Sequence, residues 1–193
     1  MSLLVLIRHS KSDPSNAALN SDWPLSEAGR ALCAPLTEIL RPFELYLLVS
    51  STMLRARQTS ELLAAGLAIP WRAIDGLQEH NRPFLEGGQR PQDEFESQID
   101  ALFANPTQPV FGDSADETLT RYTTAIDSVL AQEPGHNVGV VSHGTVMALY
   151  AAPRFNLNPR DLWHAIGHPC VLVIDRETGR GLRIIDSLST GEP

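Results

Sequence analysis

Short apolar runs alternate along this chain with longer segments of helical period. An apolar run bounded by polar or turn residues is typical of a strand covered on both faces of its sheet. The first helical segment follows Ser26, a favourable N-cap, and runs to about residue 40. The pattern predicts strands at 3–7, 45–49, 71–74 and 138–142. It predicts helices at 27–40, 52 or 53 to about 65 (ended by Gly66), 91–104, 115–132 and 145–151.

The end of the chain adds two further strands, at 171–174 and 182–185, which flank the turn sequence "ETGRG" and predict a closing hairpin. Strands that alternate with helices predict an α/β fold, a three-layer α/β/α sandwich around a mostly parallel central sheet. A chain of 193 residues with 42% hydrophobic residues suits one domain, spanning 1–193. Residues 75–90 mix Gly, Pro and charge, which is typical of an exposed loop that carries function.

Composition then excludes several classes of partner. The 15 Lys and Arg residues face 23 Asp and Glu residues, for a net charge of −8, and no segment concentrates the basic ones. We therefore expect no nucleic-acid partner. No apolar run approaches the ~18 residues of a membrane span, so we expect no membrane association. Two cysteines, Cys33 and Cys170, are too few for a disulfide framework, which favours a cytoplasmic protein.

Polar side chains stand where the predicted strands end. Arg8 and His9 follow the first strand, and His143 follows the strand at 138–142. Open α/β sheets bind ligands beyond the carboxyl ends of their strands, so we expect these residues to share one mouth. Gly144 lets a backbone N–H approach a ligand closely there. Arg55 comes in the first turn of the next helix, and helix N-termini attract anions.

These residue types suit phosphoryl transfer. Histidine is partly neutral near pH 7 and attacks phosphorus without a separate base. Arginine binds the equatorial oxygens of a transferring phosphoryl group and keeps its charge. An acid for the leaving oxygen is available in the irregular loop, where both Glu79 and Glu86 lie. Either carboxyl group is able to protonate the leaving oxygen and then to activate water.

A family resemblance covers nearly the whole chain. "LIRHSKS" resembles the Arg-His-Gly-Glu-Thr opening of the histidine phosphatase superfamily, which includes cofactor-dependent phosphoglycerate mutases. "SSTMLRARQTSELL", "DGLQEHNRPFLEG", "GDSADETLTRY" and "VVSHGTVMALY" resemble the later motifs of that family, in the same order. The resemblance implies a phosphoglycerate mutase-like fold.

The resemblance also implies a role for individual residues. His9 accepts the phosphoryl group as a phosphohistidine, and Arg8, Arg55 and His143 bind its oxygens. Glu79 matches the acid of the family, whereas Glu86 matches a position that is structural in most members. Asn16 is a further candidate for phosphate binding, although it comes one residue later than the phosphate-contacting asparagine of the family. Arg57 and Arg121 match positions that are not catalytic. Departures from the family pattern at Ser10, Lys11, His80 to Phe84 and Leu85 cluster around the substrate mouth and bear on specificity.

Three other motifs suggest different chemistry. Cys170 to Arg176 have the spacing of a cysteine-phosphatase loop, but the apolar, glycine-free interior predicts a strand. His164 and His168 have an i, i+4 spacing that suits a metal, yet no further ligands accompany them, and we expect no metal. His168 remains a candidate to line the pocket. Ser142 and His143 are neighbours on a strand, so their side chains point to opposite faces and form no catalytic pair.

The sequence thus predicts a phosphoric monoester hydrolase that needs neither metal nor cofactor. Its expected partner is a small phosphorylated metabolite or phosphate. Three alternatives stay open: a phosphoglycerate mutase-type phosphotransferase, although mutases of this family are generally longer, a phosphohistidine-protein phosphatase, and a non-catalytic phosphate-binding regulatory module.

Overall fold

The computed structural model describes residues 2–15, 19–81, 92–110 and 112–186. The strands are β1 (Leu3–Arg8), β2 (Leu47–Ser51), β3 (Trp71–Ile74), β4 (Val138–Ser142), β5 (Val171–Asp175) and β6 (Gly181–Ile185). The helices are α1 (Glu27–Leu40), α2 (Leu54–Leu67), α3 (Gln92–Ala104), α4 (Ala115–Gln132), α5 (Gly144–Ala151) and α6 (Pro159–Ala165).

The strands form one sheet in the order β3-β2-β4-β1-β5-β6. β3, β2, β4 and β1 are mutually parallel, whereas β5 runs antiparallel to β1 and to β6. The centre of the sheet is β4, paired with β1 through Ile7 and Val141 and with β2 through Val49 and Val140. The predicted fold, a mostly parallel sheet with a closing hairpin, is confirmed.

Helices cover both faces of the sheet because alternate strand residues point in opposite directions. On β1, Leu4 and Leu6 pack into the core under α4, α5 and α6, and Val5 and Ile7 pack into the core under α1 and α2. All four side chains are buried, which explains why the strand contains no polar residue before its end. A strand buried on both faces therefore has an unbroken apolar sequence rather than alternating apolar and polar residues.

Two predicted boundaries are wrong. Gly66 does not end the second helix, because α2 continues to Leu67 and Ala68 forms the left-handed cap with φ of 58°. Gly66 instead allows α2 to approach α1, since a Cβ at this position would lie 2.9 Å from Thr37 Cγ2. The second strand starts at Leu47 rather than at 45, because the first paired residues are Leu47 and Val138.

Other boundaries agree with the capping signals. Ser26 caps α1 by accepting a hydrogen bond from the Gly29 N–H at 3.0 Å. Ser114 and Glu117 form a reciprocal capping box at the start of α4, where the sequence predicts residue 115 as the first of the helix. Of the predicted loop at 75–90, residues 75–81 are irregular as expected, and the remainder lies outside the described residues.

The described helices include none that combines the length and the apolar character needed to cross a membrane.

Candidate active site

The carboxyl ends of three neighbouring strands meet at one edge of the sheet. His9 directly follows β1, His143 directly follows β4, and Arg55 lies in the first turn of α2, just beyond β2. The antiparallel β5 brings its preceding residues to the same edge, as shown by the 2.9 Å hydrogen bond from the Arg8 N–H to the Cys170 carbonyl. The topology thus gathers residues that are distant in sequence into one cleft.

His9 has a defined tautomer. Its Nδ1 lies 2.7 Å from the Ser10 carbonyl, and its Nε2 lies 3.0 Å from Arg55 Nε. A carbonyl only accepts and a guanidinium only donates, so these two bonds assign the proton to Nδ1 and the lone pair to Nε2. Burial lowers the pKa of His9 well below its usual value, and the charge of Arg55 lowers it further. The ring is therefore a neutral imidazole whose Nε2 lone pair faces Arg55.

Arg55 is buried and held by contacts on several sides. Its Nη1 donates to the Asn20 carbonyl at 2.6 Å, and its Nη2 lies 3.6 Å from Met53 Sδ. The indole of Trp23 lies 5.8 Å from the guanidinium carbon. A charge held this rigidly loses little conformational entropy when it binds an anion.

Arg8 lies against Gly144 at the start of α5. The Arg8 Nη1 donates to the Ile166 carbonyl. A Cβ at position 144 would come within 2.8 Å of the guanidinium carbon of Arg8. The sequence predicts glycine here for close approach of a backbone N–H to a ligand; the structure adds that glycine makes room for the arginine.

His143 is fully buried and forms the N-cap position of α5. Its Nε2 lies 2.8 Å from Ser51 Oγ at the end of β2, and its ring centroid lies 5.1 Å from that of His9. Ser142 points to the other side of the sheet and donates to the Leu77 carbonyl at 2.9 Å. The prediction that Ser142 and His143 form no catalytic pair agrees with this geometry.

Glu79 binds the amino-terminal end of α5. Its Oε2 accepts from the Thr145 N–H at 3.1 Å, and its Oε1 accepts from the Val146 N–H at 3.2 Å. Oε1 also accepts from the His80 N–H at 2.9 Å. The carboxylate therefore occupies a site at which a helix terminus favours negative charge, and it is 8% exposed.

Arg121 on α4 supports the segment that carries Glu79. Its guanidinium donates to three carbonyl groups of that segment, at 2.9 Å to Gly76, 3.0 Å to Gln78 and 3.2 Å to Glu79. The non-catalytic role predicted for Arg121 is compatible with these contacts, which fix the backbone rather than reach the cleft.

His168 lies beside His9 in the same cleft, with 5.0 Å between the ring centroids. Burial lowers the pKa of His168 well below its usual value, and the positive charges of Arg8 and Arg55 add to this effect. His168 is a predicted candidate to line the pocket, and the antiparallel direction of β5 brings it to the cleft.

Other candidates lie elsewhere. Arg57 is exposed on the outer side of α2. His164 is also exposed and belongs to α6, which ends at Ala165, so it shares no helix with His168. Across residues 2–15, 19–81, 92–110 and 112–186, no group of three or more His, Cys, Asp or Glu side chains is arranged to hold a metal ion. Asn16 and Glu86, as well as Leu85, lie outside the described residues.

Cys170 is part of the sheet core. It immediately precedes β5, whose five residues are all buried in strand pairing, and burial raises the pKa of its thiol to about 12. A thiol that stays protonated is a poor nucleophile, and strand N–H groups committed to neighbours cannot wrap a phosphate. The interpretation of residues 170–176 as a strand rather than a phosphate loop agrees with this structure.

Comparison with known proteins agrees with the motifs. The profile of the histidine phosphatase superfamily (branch 1) matches residues 4–186. The chain belongs to the histidine phosphatase superfamily. Curated proteins include no match to this chain. The profile match confirms the predicted family, and it confirms at the level of the family the prediction of an enzyme of the histidine phosphatase type.

Solved structures of this fold cover almost the entire histidine phosphatase chain. A mycobacterial glucosyl-3-phosphoglycerate phosphatase in complex with inorganic phosphate is 24% identical, with a TM-score of 0.71 and coverage of 95% of both chains. Bacillus stearothermophilus YhfR is 24% identical, with a TM-score of 0.72 and coverage of 96% of both chains. An Entamoeba histolytica phosphoserine phosphatase in complex with 3-phosphoglyceric acid is 16% identical, with a TM-score of 0.76, covering 97% of this chain and 98% of that chain.

The structure brings together all five predicted catalytic residues: Arg8, His9, Arg55, Glu79 and His143. Sequence reasoning on this histidine phosphatase missed Ser51 as the partner of His143 and Asn20 as the acceptor for Arg55. Ser51 carries a readable signal, since it ends the strand that neighbours β4. Asn20 contributes only its backbone carbonyl, so its side chain carries no signal.

Proposed function

We propose that this protein hydrolyses small phosphate monoesters through a phosphohistidine on His9. One observation carries the proposal: the neutral imidazole of His9 presents Nε2 to Arg55 Nε at 3.0 Å, while Nδ1 is held by the Ser10 carbonyl. A nucleophile with a fixed tautomer, next to a charge that suits phosphoryl oxygens, is what in-line phosphoryl transfer needs.

In the first step, the Nε2 lone pair of His9 forms the N–P bond as the P–O bond to the leaving group breaks. The Arg55 Nε–H that contacts Nε2 in the free protein turns to a phosphoryl oxygen. Arg8, Arg55 and His143, with the N–H of Gly144, bind the non-bridging oxygens and stabilise their charge. The electron pair of the broken P–O bond stays on the leaving oxygen, which takes a proton from Glu79. The monoanionic ester delivers that proton to the Glu79 carboxylate when it binds.

In the second step, water attacks phosphorus and the N–P bond breaks. Glu79 accepts a proton from that water, inorganic phosphate leaves, and His9 returns to its neutral form. Glu79 suits both steps because it alternates between acid and base at one place. Its contact with the first turn of α5, which follows His143, supports this assignment.

The substrate class rests on the character of the cleft and on named neighbours. The cleft offers two arginines and three histidines, which suits one phosphoryl group better than an extended polyanion. Solved proteins of this fold are named as phosphatases of glucosyl-3-phosphoglycerate and of phosphoserine. We infer a small phosphorylated metabolite as the substrate, and the cytoplasm as the compartment in which it is met.

The test is to trap the phosphoenzyme. The wild-type protein, incubated with an aryl phosphate in the presence of chelator, should form an acid-labile, alkali-stable phosphoprotein and release phosphate at mildly acidic to neutral pH. His9→Ala should lose both, and Cys170→Ser, the matched control for the other nucleophile, should retain both. Activity that chelator removes and a divalent metal restores would contradict the proposal. So would a phosphoprotein that survives His9→Ala.

A panel of phosphorylated metabolites then separates hydrolysis from the alternatives. Free phosphate as the product identifies a phosphatase, and transfer to a second position of the substrate identifies a mutase. Dephosphorylation of a histidine-phosphorylated protein alone would identify a protein phosphatase. Binding of phosphate without turnover would identify a regulatory module.

A further inference from the structure

His168 differs from the other two histidines of the cleft in its partners. His9 uses both ring nitrogens, and His143 contacts Ser51 through Nε2. Within the part of the chain that the structure describes, the ring nitrogens of His168 have no hydrogen-bond partner, and its one ring contact is with His9. The His168 side chain is half-buried, so its ring nitrogens are accessible to solvent or to a ligand in the cleft.

The surroundings of His168 indicate which ligand it would take. The charges of Arg8 at the β1 end, Arg55 of α2, Glu79 of the loop after β3 and His143 at the β4 end act on His168, and His9 lies against its ring. Directly after β6, the Asp186 carboxylate accepts from the N–H of the preceding residue, Gly167, at 3.0 Å. Two of the groups that act on His168 are permanent cations and one is a carboxylate already engaged by backbone N–H groups. The local field therefore favours an anion placed next to the His168 ring.

We propose that His168 is a second histidine ligand of the phosphoryl oxygens, beside His143, and that it takes up a proton from solvent when an oxyanion enters the cleft. This inference rests on the proposed function, since it assigns a ligand to the same phosphoryl site. Neither ring nitrogen needs to break a protein bond to bind the oxyanion. The ring of His168 contacts that of His9, so a ligand bound at His9 lies within its reach.

The charges around His168 determine the direction in which its pKa changes when an anion binds. In the free protein, burial and then Arg8 and Arg55 hold the pKa of His168 well below its usual value, so the ring is neutral at neutral pH. A bound dianion favours the imidazolium and raises that pKa. At a pH between the pKa of His168 in the free protein and its pKa in the complex, binding takes up a proton, and affinity for the anion rises as the pH falls. Below the pKa of the free protein the affinity levels off.

Sulfate is the probe, because it remains a dianion wherever histidine titrates, so any proton taken up belongs to the protein. Calorimetric titrations of the full chain in buffers of different ionisation enthalpy give the protons taken up per sulfate bound. We expect net uptake by the wild type near neutral pH. His168→Asn should lose most of this uptake and bind sulfate roughly tenfold or more weakly, as expected for loss of a charge-assisted hydrogen bond. His164→Asn, an exposed histidine outside the cleft, should match the wild type.

A second measurement needs no variant. The imidazole resonances of His168 in the wild type, assigned by through-bond experiments, should move to the protonated form when sulfate is added. If uptake and affinity are unchanged in His168→Asn, or if the proton appears on His9 or His143 instead, the inference is wrong. Failure of sulfate to bind the wild type would also overturn it. None of these outcomes depends on turnover, which the phosphoenzyme test on His9 decides separately.

Discussion

Replacement of Glu79 by Gln separates the structural role that Glu79 has at α5 from the catalytic role that we propose for it. Glu79 accepts hydrogen bonds at the start of α5, and it is the proposed acid for the leaving oxygen. Glutamine keeps the shape of the side chain and one of its two oxygens. That oxygen can still accept from the His80 and Val146 N–H groups, which both contact Oε1. The new NH₂ group would then face the Thr145 N–H, which contacts Oε2 at 3.1 Å.

The magnitude of the structural effect follows from these contacts. One buried N–H loses its acceptor and meets a donor, which costs about 1–3 kcal/mol of unfolding free energy. For a chain of this size, that corresponds to a fall in Tm of roughly 2–12 °C. The variant should therefore remain folded at assay temperature, and its thermal melt reports the structural part of the change by itself.

The catalytic effect depends on the leaving group. An alkoxide needs a proton as its bond to phosphorus breaks, whereas a nitrophenolate leaves almost unaided. Removal of a positioned general acid costs about 10²–10⁴-fold. Glu79→Gln should therefore slow phosphorylation of His9 by an alkyl phosphate by about that factor, and by an aryl phosphate far less.

The assay is rapid-quench measurement of phosphohistidine formation with the two esters. It must follow formation rather than turnover, because the proposed second step uses the same carboxylate as a base whichever group has left. Equal losses with both esters would refute acid catalysis by Glu79 and leave only its role at α5. If Glu86→Gln instead gave the unequal loss, Glu86 would be the acid.

Three other predictions test the electrostatics and the packing. Because burial and Arg55 lower the pKa of His9, the rate of its phosphorylation, after correction for substrate ionisation, should stay high below pH ~6.5 and fall only at lower pH; a fall centred on the unperturbed value would contradict this. The same shift means that the unfolded chain binds more protons, so the unfolding free energy measured in urea should decrease as pH falls below ~6.5. Gly139→Ala should cost about 1–3 kcal/mol of unfolding free energy, because its Cβ would lie 2.4 Å from Leu48 Cδ2 in the core. Gly135→Ala, with no atom near the added Cβ but a φ of +76°, is the comparison that separates crowding from backbone strain.

The amino-acid sequence by itself determined the layered α/β fold and the identity of the chemical groups. Buried parallel strands need apolar side chains on both faces, so β1 and β4 are visible as unbroken apolar runs, and the polar residues that follow them mark the ligand-binding edge. The start of α1 was equally readable, because Ser26 accepts from an N–H group three residues further on. The helix start depends on a contact between residues close in sequence, and each strand is recognised from the apolar character of consecutive residues.

Only the tertiary structure decided how the site is held together. The pairing of His143 with Ser51, the position of Glu79 on the first turn of α5, and the entry of His168 beside His9 all join segments separated by tens of residues. Each depends on strand order and on the antiparallel direction of β5, which are set by the packing of the whole sheet. Gly66 illustrates the same limit: local propensity predicts the end of a helix there, but the close approach of α1 and α2 requires a glycine inside it.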